Sequence, residues 1–155
     1  MDIANWITGL MAENTDALGF IPDTTLRERY IAKNRYIFQC DEKGRPTGYL
    51  LYGALNFGQS VAISQACIQY DKRLHGYGEV AVAELVNRAE KIQASSIYLR
   101  CADDLPAVQF WQSLGFKIVG VEPGGARRNR MIVRMAYPLY LPLFHGNLTS
   151  ACTGR

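Results

Sequence analysis

A chain of 155 residues has the length of one compact domain, and a domain of this size buries roughly 68–70% of its unfolded surface, so it needs no disulfides to hold its core. The composition is 48% hydrophobic and 20% charged without low-complexity tracts, which is typical of a globular protein and excludes disordered and membrane-spanning classes. The formal net charge of +3 is too small to indicate nucleic-acid binding by itself.

The first half of the chain predicts two helices followed by three strands. Apolar residues recur at helical spacing over residues 3–14 and 23–33, and the break between them contains Gly19 and Pro22. β-type runs then cover residues 35–40, 48–55 and 60–70, separated by the polar turns DEKGRPTG and NFGQS. We expect an antiparallel meander here.

The second half returns to helices alternating with strands. Residues 77–93 place Val82, Leu85 and Ala89 on one helical stripe, with charged residues largely off it. A short strand over 95–101 and a short helix over 105–115 follow, and Gly115 ends that helix. Strands over 116–122 and 130–137 enclose the turn PGGARRNR. The predicted order is ααβββαβαββ.

The turn between the third strand and the long helix contains Arg73, Gly76 and Gly78. A glycine-containing turn that opens a helix presents backbone N–H groups and the positive end of the helix dipole at one point, which suits a phosphate. Arg73 would add a charge-assisted donor. The alternative interpretation is a simple connection between strand and helix, which a Gly-x-Gly pair alone favours.

Two motifs in register resemble a known family. Arg73-Leu-His-Gly76-Tyr-Gly78 is similar to the (Gln/Arg)-x-x-Gly-x-(Gly/Ala) pyrophosphate loop of the GNAT superfamily of acyl-CoA-dependent N-acyltransferases, and residues 107–116, AVQFWQSLGF, resemble its A-x-x-F-Y-x-x-x-G-F segment. Residues 101–116 also resemble a branch with C-P-x-D-L-P-A-N-x-F-(Y/W)-x-x-L-G-F. The resemblance implies a GNAT-like α/β fold, α+β in layout, with a mixed, mainly antiparallel sheet, here with the first strand short or missing.

The resemblance also implies a cofactor, acetyl-CoA, and residues that hold it. In this fold the strand before the pyrophosphate turn and the next strand splay apart, and pantetheine pairs with the first of them. The implied cofactor-binding residues, by backbone or side chain, are Cys67, Ile68, Gln69, Arg73, Leu74, His75, Gly76, Tyr77, Gly78 and Phe110. An amide of that strand would act as an oxyanion donor.

The acid and base of such a reaction are not evident in the sequence. The strand 60–70 lacks a carboxylate, leaving Ser64 and Gln65 at best to hold a water, and the family's acid tyrosine falls at Trp111, whose indole N–H cannot transfer a proton at neutral pH. The remaining catalytic candidates are Asp104 and Tyr70, although a helix cap for Asp104 and simple packing for Tyr70 are alternatives. Approximation alone supplies roughly 7–11 kcal/mol in favourable cases.

The arginines Arg127, Arg128 and Arg130 of the predicted hairpin are candidates for binding the acceptor. They favour an anionic acceptor, a small molecule or a macromolecule, although a solvated turn is equally compatible with them and nucleic acid lacks further support. The sequence predicts an N-acetyltransferase acting on a primary amine through a ternary complex; the alternative is a CoA-binding module without turnover.

The remaining expectations concern the cysteines, the cellular compartment, the domain bounds and the oligomeric state. No CxxC pair or metal-ligand spacing occurs among the thiols and imidazoles, so we expect reduced cysteines and no metal (Cys40, Cys67, Cys101, Cys152, His75 and His145). The start lacks a signal-peptide pattern, so we expect a cytoplasmic protein without a membrane partner. We expect one domain over residues 1–144 and a flexible tail over 145–155. The apolar segment 136–144 is a candidate homodimer contact.

Overall fold

The computed structural model describes residues 1–125 and 129–139. Its helices and strands follow the predicted order ααβββαβαββ, which confirms that prediction. In chain order they are α1 Ile3–Glu13, α2 Asp23–Thr25 continuing as a π-helical turn Leu26–Ile31, β1 Tyr36–Cys40, β2 Pro46–Tyr52, β3 Ser60–Ile68, α3 Tyr77–Lys91, β4 Ser96–Ala102, α4 Ala107–Ser113, β5 Lys117–Pro123 and β6 Met131–Pro138.

The strands form one mixed sheet in the order β1-β2-β3-β4-β6-β5. All neighbouring pairs are antiparallel except β3 and β4, which run parallel. A parallel pair needs a crossover connection, and α3 provides it. The sheet is therefore mainly antiparallel, as predicted.

Helices cover the two faces of the sheet with separate apolar clusters. On one face, α3 and α4 pack through Leu85 and Trp111 against Ile97 and Met135. On the other, α1 and α2 cover β1–β3, and their cluster is built around residues such as Ile7, Leu26, Tyr49 and Leu51. The apolar stripe of α3 predicted from the sequence is thus the face that it buries.

The start of α4 differs from the sequence prediction. Helix α4 begins at Ala107, with Pro106 at its N-cap position, rather than at residue 105. Proline suits a helix start because its fixed φ and missing N–H cost nothing there. The predicted flexible tail, 145–155, and most of the candidate dimer contact, 136–144, lie outside the described residues. Within the described part of the chain, no helix has the length and apolar character needed to cross a membrane.

Candidate functional site

The site is built where β3 and β4 separate. Their pairing joins Ser60–Ala62 to residues 96–98, and within the described residues it does not continue beyond Ala62 and Tyr98. The strands enclose a cleft of about 760 Å³ beyond that point. Residues of the α1–α2 loop, β3, β4, α4 and the β5–β6 hairpin line it, among them Gly19, Ser64, Cys101, Trp111 and Arg130.

A β-bulge lies in β3 at this point. The register with β2 changes between Leu51, which faces Gln65, and Tyr52, which faces Ile63, so Ser64 has no cross-strand partner. A bulge bends its strand and re-aims the neighbouring groups. It lies just beyond the end of the β3–β4 pairing and coincides with the start of the cleft. The bulge depends on the pairing register, which the sequence alone did not indicate.

The second half of β3 has an open backbone edge on the cleft side. The Gln69 N–H donates to the Thr47 carbonyl of the β2 side at 2.8 Å. Because peptide groups alternate in direction along a strand, those of Ala66 and Ile68 face away from β2. The Arg73 Nε donates to the Ile68 carbonyl at 3.0 Å, in agreement with that direction. The open edge therefore consists of Ala66 and Ile68.

The three residues at the end of β3 that were predicted to contact pantetheine through their backbone do not all lie on the open edge. Of the three residues named from the sequence, Ile68 lies on the open edge, whereas the Gln69 amide is already bonded to β2. Cys67 pairs in register with Tyr49, and its side chain is buried in the cluster beneath α1. Burial raises the pKa of the Cys67 thiol, so it stays protonated at neutral pH. The alternation along β3 thus places Ala66, and not Cys67 or Gln69, beside Ile68 on the open edge.

The turn before α3 has the features of an anion site. Gly76 occupies the N-cap position with φ 85° and no side-chain cap, and α3 continues from it for 15 residues. No hydrogen-bond acceptor for the amides of residues 74–79 is found within the part of the chain that the structure describes. Together with the helix dipole, these amides form a ready receptor for phosphate oxygens.

The side chains of this turn were expected to contribute to cofactor binding, and the structure shows what each of them contacts. The Arg73 guanidinium bonds to the Ile68 carbonyl and to Asn14 Oδ1. Leu74 is fully exposed, with φ 63°. The His75 Nδ1 lies 2.6 Å from the Arg73 carbonyl. Tyr77 is half-buried at the first position of α3. The groups of this turn that remain available to an anion are therefore mainly backbone amides.

The two glycines of the turn have different structural causes. A Cβ at Gly76 would meet nothing within 4 Å, so the positive φ is what requires glycine there. A Cβ at Gly78 would lie 3.0 Å from Phe110 Cζ and 3.7 Å from Ile68 Cγ1. Gly78 therefore makes room for the Phe110 ring, which in turn lies edge-on to Trp111 with ring centroids 5.0 Å apart.

The three catalytic candidates lie in different surroundings. Trp111 is buried and lines the cleft. Tyr70 is 83% exposed in the turn after β3, beneath the Arg73 guanidinium, and it is not part of the cleft lining. Asp104 lies in the β4–α4 turn, where its Oδ2 accepts from Arg130 Nε at 2.9 Å. The alternative role of Asp104 as a cap is wrong, because α4 has no side-chain cap.

Arg130 joins three segments around the cleft. Besides its ion pair with Asp104 after β4, it donates from Nη1 to the Asp16 carbonyl in the α1–α2 loop at 2.6 Å. Its guanidinium thus ties the β5–β6 hairpin to both. Arg127 and Arg128, predicted with it to contact an acceptor, lie outside the described residues.

Gln65 is a site residue whose role differs from the expected one. Its side chain is 7% exposed, its Nε2 donates to the Gly19 carbonyl at 2.7 Å, and its Oε1 accepts from the Tyr49 hydroxyl at 2.7 Å. Burial raises the pKa of Tyr49, which keeps that hydroxyl a donor. The amide expected to hold a water instead fixes the α1–α2 loop. The available signal was a polar residue at an alternate position of the strand between the apolar residues Ile63 and Cys67.

The titratable cleft-lining groups are few. Among the described residues that line the cleft there is no Asp, Glu, His or Tyr, and Cys101 is the lining thiol. Burial raises the pKa of the Cys101 thiol, Asp104 raises it further, and Arg130 opposes them. No group of three or more potential metal ligands occurs in residues 1–125 and 129–139. The cleft can therefore bind and orient reactants but offers no obvious base.

Comparisons with known proteins identify similar chains. The model of the acetyltransferase (GNAT) family matches residues 4–116. Ard1 from Thermoplasma volcanium is similar in structure, with a TM-score of 0.74 and 13% identity over 88% of this chain and 91% of that one. No curated protein matches the sequence.

Two further solved structures share the fold. The ribosomal-protein-S18-alanine N-acetyltransferase from Escherichia coli has a TM-score of 0.68 and 16% identity, covering 91% of this chain and 92% of its own. An aminoglycoside 6′-N-acetyltransferase complexed with coenzyme A has a TM-score of 0.71 and 15% identity, covering 88% of this chain and 91% of its own. At these identities the likeness establishes the fold.

Proposed function

The chain belongs to the GNAT acetyltransferase family, and from this premise we propose that it transfers an acetyl group from acetyl-CoA to a primary amine by direct attack in a ternary complex. The observation that carries the proposal is the open edge of β3, formed by Ala66 and Ile68, beside a helix N-terminus whose amides lack partners among the described residues. A strand edge and a phosphate receptor side by side suit a ligand with both amide groups and a pyrophosphate.

The groups present at this site fit acetyl-CoA. The amides of residues 74–79, opened by the positive φ of Gly76, would hold the pyrophosphate. The peptide groups of Ala66 and the N–H of Ile68 would bond to pantetheine, while the Ile68 carbonyl keeps its hydrogen bond from Arg73 Nε. Phe110 packs over Gly78 and would border the pantetheine channel. Bound in this way, the cofactor supplies an activated acetyl group at the cleft.

The residues of the chain contribute mainly by orientation. The bulge at Ser64 is where a backbone amide of β3 would polarise the thioester carbonyl, as an oxyanion donor does. The α1–α2 loop, fixed by Gln65 and Arg130, forms one wall of the acceptor side. Such positioning is worth roughly 7–11 kcal/mol at best. The amine must arrive uncharged, because the described cleft lining contains no carboxylate or imidazole to take its proton.

Proton transfer is assigned to groups outside that lining. Asp104 is the proposed acceptor, through water, since it lies at the end of β4 next to the lining residue Arg130. Tyr70 and Trp111 are the other proposed contributors, Tyr70 as an exposed acid and Trp111 as a hydrogen-bond donor. A carboxylate already paired with an arginine is a weak base, so its contribution is expected at the low end of the usual 10²–10⁴-fold range.

The lack of an acid or base among the described residues that line the cleft favours one alternative function, that of a GNAT-fold module that binds acetyl-CoA without turnover. A screen for release of the CoA thiol across small amines, amino acids, peptides, polyamines and aminoacylated RNA distinguishes the two. We expect amine-dependent thiol release by wild type, and at least about tenfold slower release by Gly76→Val at acetyl-CoA concentrations well below the Kd. Binding of acetyl-CoA without release of the CoA thiol for any of the tested amines would establish the alternative function.

A further inference from the structure

Asn14 is a hydrogen-bonding hub at the C-terminal end of α1. Its Nδ2 donates to the Leu10 carbonyl at 2.8 Å, and its own carbonyl accepts from the amides of Ala17 and Leu18 at 3.1 and 2.9 Å. The bond from Nδ2 to Leu10 fixes which way the side-chain amide points. The remaining acceptor, Oδ1, receives the Arg73 Nη2 at 2.9 Å.

Arg73 is consequently held from two sides. Its Nε donates to the Ile68 carbonyl at the end of β3, and its Nη2 donates to Asn14, which is 59 positions away in the chain. The guanidinium also lies 5.4 Å from the centre of the Tyr70 ring. A guanidinium has five N–H donors, so most of its capacity is still available. Arg73 thus joins the phosphate-binding turn to α1 and leaves its positive charge exposed to a ligand.

We propose that Asn14 is a positioning residue for the phosphate-binding turn and that it acts through Arg73. By holding the guanidinium against the end of β3, Asn14 fixes both the positive charge and the path of residues 73–78 before a cofactor arrives. Ordering a long arginine side chain in advance removes an entropic cost from binding. The inference rests on the proposed function, since it concerns the site assigned there to the pyrophosphate.

The chemistry of the position suits an amide. The Asn14 side chain donates to the Leu10 carbonyl and accepts from Arg73, and a carboxamide provides the donor and the acceptor on two separate atoms. An aspartate would lose the donor and would place a negative charge at the negative end of the α1 dipole. It would also add a negative charge close to a bound pyrophosphate. Asparagine satisfies all three constraints.

The test measures the affinities of two ligands for five forms of the protein, one of which is a control. Coenzyme A carries the pyrophosphate and pantetheine does not, and dissociation constants for both are measured by NMR titration for wild type, Asn14→Ala, Arg73→Ala and the double variant. Asp2→Ala is the matched control, because Asp2 caps the opposite end of α1 and has no contact with Arg73. Circular dichroism verifies that each variant is folded, and Arg73→Lys replaces Arg73→Ala if the latter does not fold.

We expect Asn14→Ala to raise the Kd for coenzyme A about three- to tenfold, because solvent screening reduces the value of an exposed charged hydrogen bond. The Kd for pantetheine and the affinities of Asp2→Ala should change less than about twofold. In the Arg73→Ala background, the Asn14 substitution should have no further effect, since contacting residues that act together are non-additive.

Several results would overturn the inference while leaving the proposed function intact. These are an unchanged or tighter affinity of Asn14→Ala for coenzyme A, an equal loss for pantetheine, and additive effects of the two substitutions. Failure of the wild-type protein to bind coenzyme A is a different outcome, because it would remove the proposed function itself and with it the premise of the inference.

Discussion

Valine at position 76 tests whether the backbone of the turn is the anion receptor. Gly76 has φ 85°, and a Cβ there would meet nothing within 4 Å, so the folded state has room for a side chain but not the right conformation. The left-handed conformation costs an L-residue roughly 1–2 kcal/mol. For a chain of this length that lowers Tm by about 2–8 °C. The protein should remain folded at 25 °C.

Binding should respond far more strongly than stability. The side chain of Gly76→Val would project among the amides of residues 74–79, and we expect the Kd for acetyl-CoA to rise by at least about tenfold, measured by calorimetry. Gly9→Ala is the control, because it lies in α1 with open space around its Cβ and should gain about 0.5–1 kcal/mol of stability without any change in Kd. A folded Gly76→Val variant with wild-type affinity would refute the assignment.

Three further predictions concern single side chains. Asp104→Asn should lower kcat about 10²-fold with little change in Tm, and an unchanged kcat removes Asp104 from catalysis. The backbone N–H of Arg45 holds the pKa of Asp41 at about 2, below its unfolded value, so the stability it provides is present above pH ~4 and lost as the pH falls toward 2. Urea unfolding of Asp41→Asn and wild type should therefore differ at pH 7 and converge at pH 2; a constant difference contradicts this. Iodoacetamide should alkylate the exposed Cys40 faster than Cys101 at pH 7, because burial raises the pKa of the Cys101 thiol. Acetyl-CoA should slow the alkylation of Cys101 further. Equal alkylation rates of the two cysteines, measured by mass spectrometry, would contradict this prediction.

The element order and the position of the turn could be predicted because their signals are local. The apolar stripe of α3 and the glycines at 76 and 78 lie within one stretch of about twenty residues. Periodicity and turn chemistry act over that range. The signal for the family was similarly local, in residues 73–78 and 107–116.

Features that depend on pairing register or on distant contacts could not be predicted. The bulge at Ser64 exists only relative to β2, and the bond from Gln65 to Gly19 spans 46 positions. Gly78 was assigned to phosphate access, but its closest contact is the Phe110 ring, more than thirty positions away. Asp104 was given a local alternative, capping, whereas its partner is Arg130 across the cleft. In each case the residue could be singled out from the sequence, but the residue that it contacts could be identified only from the structure.

Residue-level hydrogen exchange with and without acetyl-CoA tests the central claim most directly. If the cofactor lies along the open edge of β3 and over the N-terminus of α3, saturating acetyl-CoA should slow exchange at the amides of Ala66, Ile68 and residues 74–79. The Gln69 amide, already bonded to Thr47, should change little. Unchanged exchange throughout this set, or protection confined to another surface, would contradict the account.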